Sequence, residues 1–192
     1  MCDSRTAAEC RESLATLIKE HALRFGDFTL ASGQKSTYFI DGKMVTLQSE
    51  GLYCLSRCIL EMIERDNIEA VGGMSIGADP ITGGVVALAG DEGIPLLGFL
   101  VRKEQKDHGT RKQIEGPVPE GARVVMLEDV VTTGGSTLDA IAAVEREKQA
   151  QVVKVIAMVD RLQGARENLA QAGYALEAIF TIEELGVVVS PG

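Results

Sequence analysis

An apolar run that ends in two adjacent carboxylates and then breaks into a small-residue loop leaves few folds open to this chain. Residues 124–137 read Val-Val-Met-Leu-Glu-Asp-Val-Val-Thr-Thr-Gly-Gly-Ser-Thr. After them Leu138, Ile141, Ala142 and Val144 fall at helical spacing. The pattern predicts a buried strand that delivers Glu128 and Asp129, then a phosphate-sized loop on a helix N-terminus. Free backbone N–H groups and the positive end of the helix dipole make such a loop an anion site. Glycines allow the backbone to approach a ligand closely. Carboxylates next to it suit a polyol or a metal held beside a phosphate, and a sugar phosphate has both parts. Asp129 as a mere helix cap would need one acid and few glycines. No Gly-Lys-Ser/Thr occurs here, and Gly134-Gly135 lacks Gly-x-Gly-x-x-Gly spacing, which excludes a Walker loop and a dinucleotide fingerprint.

The surrounding pattern extends this unit. Residues 7–24 and 49–65 read as amphipathic helices, 81–89 as a small-residue helix, and 135–148 and 165–172 as helices. Ala70-Val71, Pro95–Val101, Arg123–Leu127 and Val152–Val159 are strand-like and apolar without alternation. Strands of that kind separated by helices imply a parallel sheet covered on both faces. The expectation is an α/β fold: a doubly wound, mostly parallel sheet flanked by helices, in one domain spanning residues 1–192. The first ~45 residues leave the β–α rhythm, with β-like 28–30 and 37–40 joined across Ser32-Gly33, and are expected to form a small N-terminal cap over the substrate edge. In such sheets ligands bind at the carboxyl ends of the strands.

A net charge of −9 argues against general nucleic-acid binding and demands a local positive site for any anionic ligand. Residues 102–112, Arg-Lys-Glu-Gln-Lys-Asp-His-Gly-Thr-Arg-Lys, supply it: they hold five of the chain's 19 Lys and Arg residues and one of its two histidines. A long polar loop in a compact domain is usually functional or disordered. No apolar run has membrane-spanning length, and Met-Cys-Asp-Ser-Arg has no apolar signal core, so a cytoplasmic setting is expected. Cys2, Cys10, Cys54 and Cys58 make no disulfide framework. Cys54 and Cys58, one helical turn apart, read as buried reduced thiols rather than metal ligands. His21, mid-helix and without ligand-type neighbours, reads as a surface or packing residue.

The stretch at 124–137 resembles the phosphoribosyl diphosphate motif of type I phosphoribosyltransferases. Three further segments resemble the orotate phosphoribosyltransferase family in particular: Arg102-Lys103-x-x-Lys106-x-His108-Gly109, the N-terminal segment Phe28–Phe39 with its Ser32-Gly33, Ser36 and Tyr38, and Asp160-Arg161. The resemblance implies transfer of a phosphoribosyl group from phosphoribosyl diphosphate to orotate, with Mg²⁺ bound mainly through the diphosphate and no protein ligand set for the metal. It implies phosphoribosyl diphosphate contacts from Arg102, Lys103, Lys106, His108, Glu128, Asp129, Val130, Val131, Thr132, Thr133, Gly134, Gly135 and Ser136. Orotate would meet Thr132 and Arg161, and the catalytic groups would be Lys103, Lys106, His108 and Asp129. It also implies a homodimer whose basic loop closes over the neighbouring subunit's site, with no nucleic-acid or membrane partner. The chain departs from the family pattern at Ala31 and near Gly77, where many members have lysine, and at Glu128, which is often Asp. A purine phosphoribosyltransferase would share the 132–137 loop, but segment 28–39 and Arg161 argue against it. A non-catalytic sensor of phosphoribosyl diphosphate would keep 128–137, but Lys103, Lys106 and His108 argue against that.

Overall fold

The computed structural model describes residues 5–29, 35–104 and 112–188. Its centre is a six-stranded sheet of β3 (Ala70–Met74), β4 (Leu97–Val101), β5 (Ile114–Glu115), β6 (Arg123–Val131), β7 (Gln151–Asp160) and β8 (Leu176–Thr181), in spatial order β5-β4-β3-β6-β7-β8. All neighbours pair in parallel except β4 with β5. Chain order reverses between β3 and β6, and that switch point is where an open α/β sheet leaves a crevice at its carboxyl edge.

Alternate residues of β6 explain why no polar alternation is visible in the sequence. Val125 and Leu127 join one core with Ile156 and Met158 of β7 and with α3 (Ser49–Ile63) and α4 (Ala78–Asp91). Val124 and Met126 join a second core with α5 (Gly135–Lys148) and α6 (Ala165–Gln171). Both faces are covered, so both registers are apolar.

The N-terminal part divides in two. Helix α1 (Ala7–Leu17) opens on a capping box, in which Thr6 accepts from the Glu9 N–H and the Glu9 carboxylate accepts from the Thr6 N–H at 2.8 Å. It packs on α3, burying Cys10, Leu14 and Ile18 with Cys54, Leu55 and Cys58; the three cysteines are free thiols. The helix expected over 7–24 stops earlier. One π turn, Ile18–Ala22, leads straight into β1 (Leu23–Thr29), which pairs antiparallel with β2 (Lys35–Ile40) and returns to the short α2 (Lys43–Thr46). Apolar positions at Leu17, Ile18 and Ala22 continue the helical spacing, so the change of structure is not written in the period. Ser32 and Gly33, and Ala31 beside them, lie outside the described residues. No helix among the described residues is long and apolar enough to cross a membrane.

Candidate active site

The switch point opens into a cleft of about 540 Å³ lined by residues that include Ser75, Gly77, Lys103, Glu128, Asp129 and Ser136. Strand β6 runs on to Val131, past the end expected at Leu127, so both acids are strand residues and not loop residues. Pairing of Glu128 with Ala157 and of Val130 with Val159 fixes them. This extension corrects the expected boundary. Carboxylates depress strand propensity, but the β7 ladder overrides it here.

Glu128 is 8% exposed and accepts a 2.7 Å hydrogen bond from the Thr137 hydroxyl on α5. Burial pushes its carboxyl up to about 7, against the opposing pull of that hydrogen bond. Burial also raises Asp129, offset by the Val130 N–H, which donates to its Oδ1 at 2.8 Å, and by the Lys43 ammonium. Lys43 is itself held by Asp41 at 2.7 Å. Two glycines make room for Asp129. A Cβ at Gly77 would stand 2.6 Å from its Oδ1, and one at Gly42 2.8 Å from its Cβ and Oδ2. At Gly77 the structure therefore puts backbone against the acid.

The loop after β6 is held from α6, where the Asn168 amide donates to the Thr133 carbonyl at 2.9 Å. Gly134 turns the chain into α5 at φ +79°, a left-handed conformation in which glycine carries no steric penalty. No side chain caps α5, so its first-turn N–H groups face the loop's concavity. Thr133, Gly135 and Ser136 are exposed there, Thr132 is half-buried and Gly134 buried.

Arg161 ends β7 next door. Its backbone N–H donates to the Val131 carbonyl at 3.0 Å, tying it to the same edge. The guanidinium is buried, its Nε donates to Tyr38 Oη at 3.0 Å, and its Nη2 has no protein partner. A buried donor without a partner is costly, which marks the place where a ligand acceptor belongs.

The basic segment enters and leaves at this edge. Arg102 donates its N–H to the Gln113 carbonyl at 2.9 Å, and the Gln113 amide donates back to the Arg102 carbonyl at 3.2 Å. Glu147, near the end of α5, accepts from the Gln113 N–H at 3.0 and 3.1 Å. Lys103 lines the cleft, while the Arg102 guanidinium turns to Glu115 at 2.8 Å. Lys106 and His108 lie outside the described residues. The structure thus gathers Lys103, Glu128, Asp129, Val130 and Ser136 around one cleft and sets Arg161 on the adjoining strand end.

The curated orotate phosphoribosyltransferase of Rhodopirellula baltica is 45% identical over 180 residues, covering 91% of this chain and 93% of the relative. The chain belongs to the orotate phosphoribosyltransferase family. The enzyme of that name from Synechocystis is 46% identical over 181 residues, covering 93% of the chain and 89% of the relative. A crystal structure of Mycobacterium tuberculosis orotate phosphoribosyltransferase in complex with 5-phospho-α-D-ribosyl 1-diphosphate superposes with a TM-score of 0.78 at 31% identity, covering 93% of this chain and 99% of that one. No family model matches the chain. For this member of the family, Gly42, Lys43, Gln113 and Glu147 are residues around the site that motif reading passed over, while Tyr38, Gly77 and Thr137 lay within quoted segments without their contacts to Arg161, Asp129 and Glu128 being visible. Only the Asp-Gly-Lys run at 41–43 and the glycine at 77 carry a local signal, and neither says which acid it serves.

Proposed function

We propose that this chain is an enzyme that transfers the phosphoribosyl group from 5-phosphoribosyl 1-diphosphate to orotate, giving orotidine 5′-monophosphate and diphosphate in UMP biosynthesis. The observation that carries the reading is the adjacency of two unlike half-sites. An acid pair with an uncapped helix N-terminus stands at the end of β6, and a buried arginine with an unpaired Nη2 stands at the end of β7. The first matches a ribose 5-phosphate and the second a carboxylate-bearing base.

The 5′-phosphate would sit on the backbone N–H groups of Thr132–Ser136. Glu128 and Asp129 would accept from the ribose hydroxyls and fix the anomeric carbon. The bond from that carbon to diphosphate breaks, its electron pair leaves with diphosphate, and orotate's ring nitrogen forms the new bond. Orotate's nitrogen is nucleophilic as the anion, so no strong base is needed. Lys103, Lys106 and His108 would meet the charge that builds on the leaving group, joined by Arg102 once it parts from Glu115. Arg161 would hold the orotate carboxylate and Thr132 would touch the base.

Asp129 and Glu128 offer hard oxygen donors of the kind Mg²⁺ takes. The resemblance implies that the metal would be carried mainly by the diphosphate, with these carboxylates beside it. When bound, Mg²⁺ neutralises diphosphate charge. Purified protein should consume orotate and release diphosphate in equal amounts only when phosphoribosyl diphosphate and Mg²⁺ are both present. Equal turnover of uracil would overturn the base assignment.

The enzyme is proposed to be a single phosphoribosyltransferase domain acting in the cytoplasm, paired as a homodimer, with Lys103, Lys106 and His108 serving the neighbour's Asp129. Lys106→Ala and Asp129→Asn, each dead alone, should regain about a quarter of the sites when unfolded and refolded together, because half the dimers are then mixed and each mixed dimer has one intact site. No recovery in confirmed mixed dimers would place the loop in its own subunit.

A further inference from the structure

We infer that Tyr38 is a positioning residue for the base half of the site: it holds the Arg161 guanidinium in the one orientation that leaves its Nη side for a carboxylate. The inference rests on the reading of Arg161 as the orotate contact and adds to it a residue on a different sheet.

Arginine is long and rotamer-rich, and a buried one costs heavily unless it is held. Arg161 is 6% exposed and pairs with no carboxylate among the described residues. Its hold comes from Tyr38, which is 7% exposed and reaches it from β2. The guanidinium carbon lies 4.7 Å from the centre of the Tyr38 ring, within cation–π range. At the same time Nε donates to Tyr38 Oη at 3.0 Å. One side chain therefore supplies a face and an acceptor to the same cation, and two restraints of different kind fix both tilt and rotation. The Nε edge is then occupied. Nη2, the nitrogen beside it, is the buried donor left over, with an N–H free on the side it shares with Nη1. A planar carboxylate arriving there completes the guanidinium's hydrogen bonds.

Tyr38 itself is oriented by its strand. Residue Ser36, two positions back on the same face, donates its hydroxyl to the Tyr38 carbonyl at 2.6 Å. Phe25 of β1 is the cross-strand partner of Tyr38. The hairpin thus reaches the carboxyl edge of the sheet through this contact.

The test is a double-mutant cycle read as kcat/KM for orotate, with KM for phosphoribosyl diphosphate measured alongside. Tyr38→Phe keeps the ring and removes the acceptor. It should lower kcat/KM for orotate roughly three- to tenfold, the range of one hydrogen bond, and leave KM for phosphoribosyl diphosphate unchanged. Tyr38→Leu removes the ring as well and should cost more. In an Arg161→Ala background, Tyr38→Phe should change nothing further, because a residue that acts only through Arg161 has lost its target. A Tyr38→Phe loss that is additive with Arg161→Ala, or that falls equally on both substrates, overturns the inference. So does an unimpaired Tyr38→Phe enzyme when Arg161→Ala is impaired. If Arg161→Ala itself leaves orotate use intact, the assignment of Arg161 to orotate fails first, and this inference falls with it. Orotate use restored by Tyr38→His, which can offer an acceptor again, would support the positioning role.

Discussion

Strands β6 and β7 run side by side and each brings two charged residues to the carboxyl edge, buried Glu128 with half-buried Asp129 on one and buried Asp160-Arg161 on the other, yet they tolerate burial in opposite ways. The acids of β6 can give up their charge. Burial raises both, Glu128 to about 7, and the remaining negative charge is balanced by a hydroxyl, a backbone N–H and a distant ammonium. The arginine of β7 cannot, because guanidinium stays protonated at any ordinary pH. Its charge is instead spread over an aromatic face and one phenol oxygen. One strand end is therefore tunable by pH and the other is fixed. A sugar, which offers hydroxyls in either case, suits the first, and a permanently ionised carboxylate suits the second.

The steepest way to break this contrast is to move Asp129 without changing its chemistry. Gly77→Ala would put a Cβ 2.6 Å from Oδ1 and drive the carboxylate out of place. A misplacement of about an ångström at a reacting centre is enough to cost on the order of 100-fold in turnover. Gly83→Ala lies one turn and a half further along α4 with open space around it, and should leave activity unchanged while stabilising slightly. Steady-state kinetics of the pair decides the matter. Equal activity of the two variants would mean that the position of Asp129 is not critical.

Much of this site could be read from the chain, and the reasons differ by element. The loop at 132–137 was legible because strand, acids, glycines and helix are contiguous, so the ligand environment is a local property. The sheet was legible because strands buried on both faces read as continuous apolar runs. Arg161 was found through a motif, but its orphaned Nη2 depends on Tyr38, 123 residues away. No spacing rule reports a contact between the hairpin and the end of β7. Strand β5 was missed because two residues carry no period, and its pairing with β4 is enforced from outside by Glu147. Strand β8 was missed because Leu176–Thr181 is a short run broken by Glu177, with neither strict alternation nor an unbroken apolar stretch to mark it. The π turn at 18–22 keeps helical spacing to the last residue, so only the pairing of β1 with β2 ends it. Gly42 and Lys43 were missed because they matter through Asp129, which the chain meets only after folding.

A smaller effect is expected from the acid end, where the Glu128 carboxyl can lose its proton. In the unfolded chain Glu128 ionises near 4.5, and in the fold near 7. The folded form holds the proton more tightly, so the stability it gains is fully present below about pH 4.5 and is lost as pH rises through 7. A difference of that size corresponds to roughly 3 kcal/mol of stability surrendered by pH 8. Glu128→Gln keeps the shape and an oxygen to accept from Thr137, but has no proton to lose. The variant should match wild type near pH 4.5 and exceed it progressively towards pH 8, with denaturant midpoints measured across that range on ligand-free protein. A flat difference for Glu128→Gln would show that its carboxyl is already ionised in the fold, and both strand ends would then carry fixed charge.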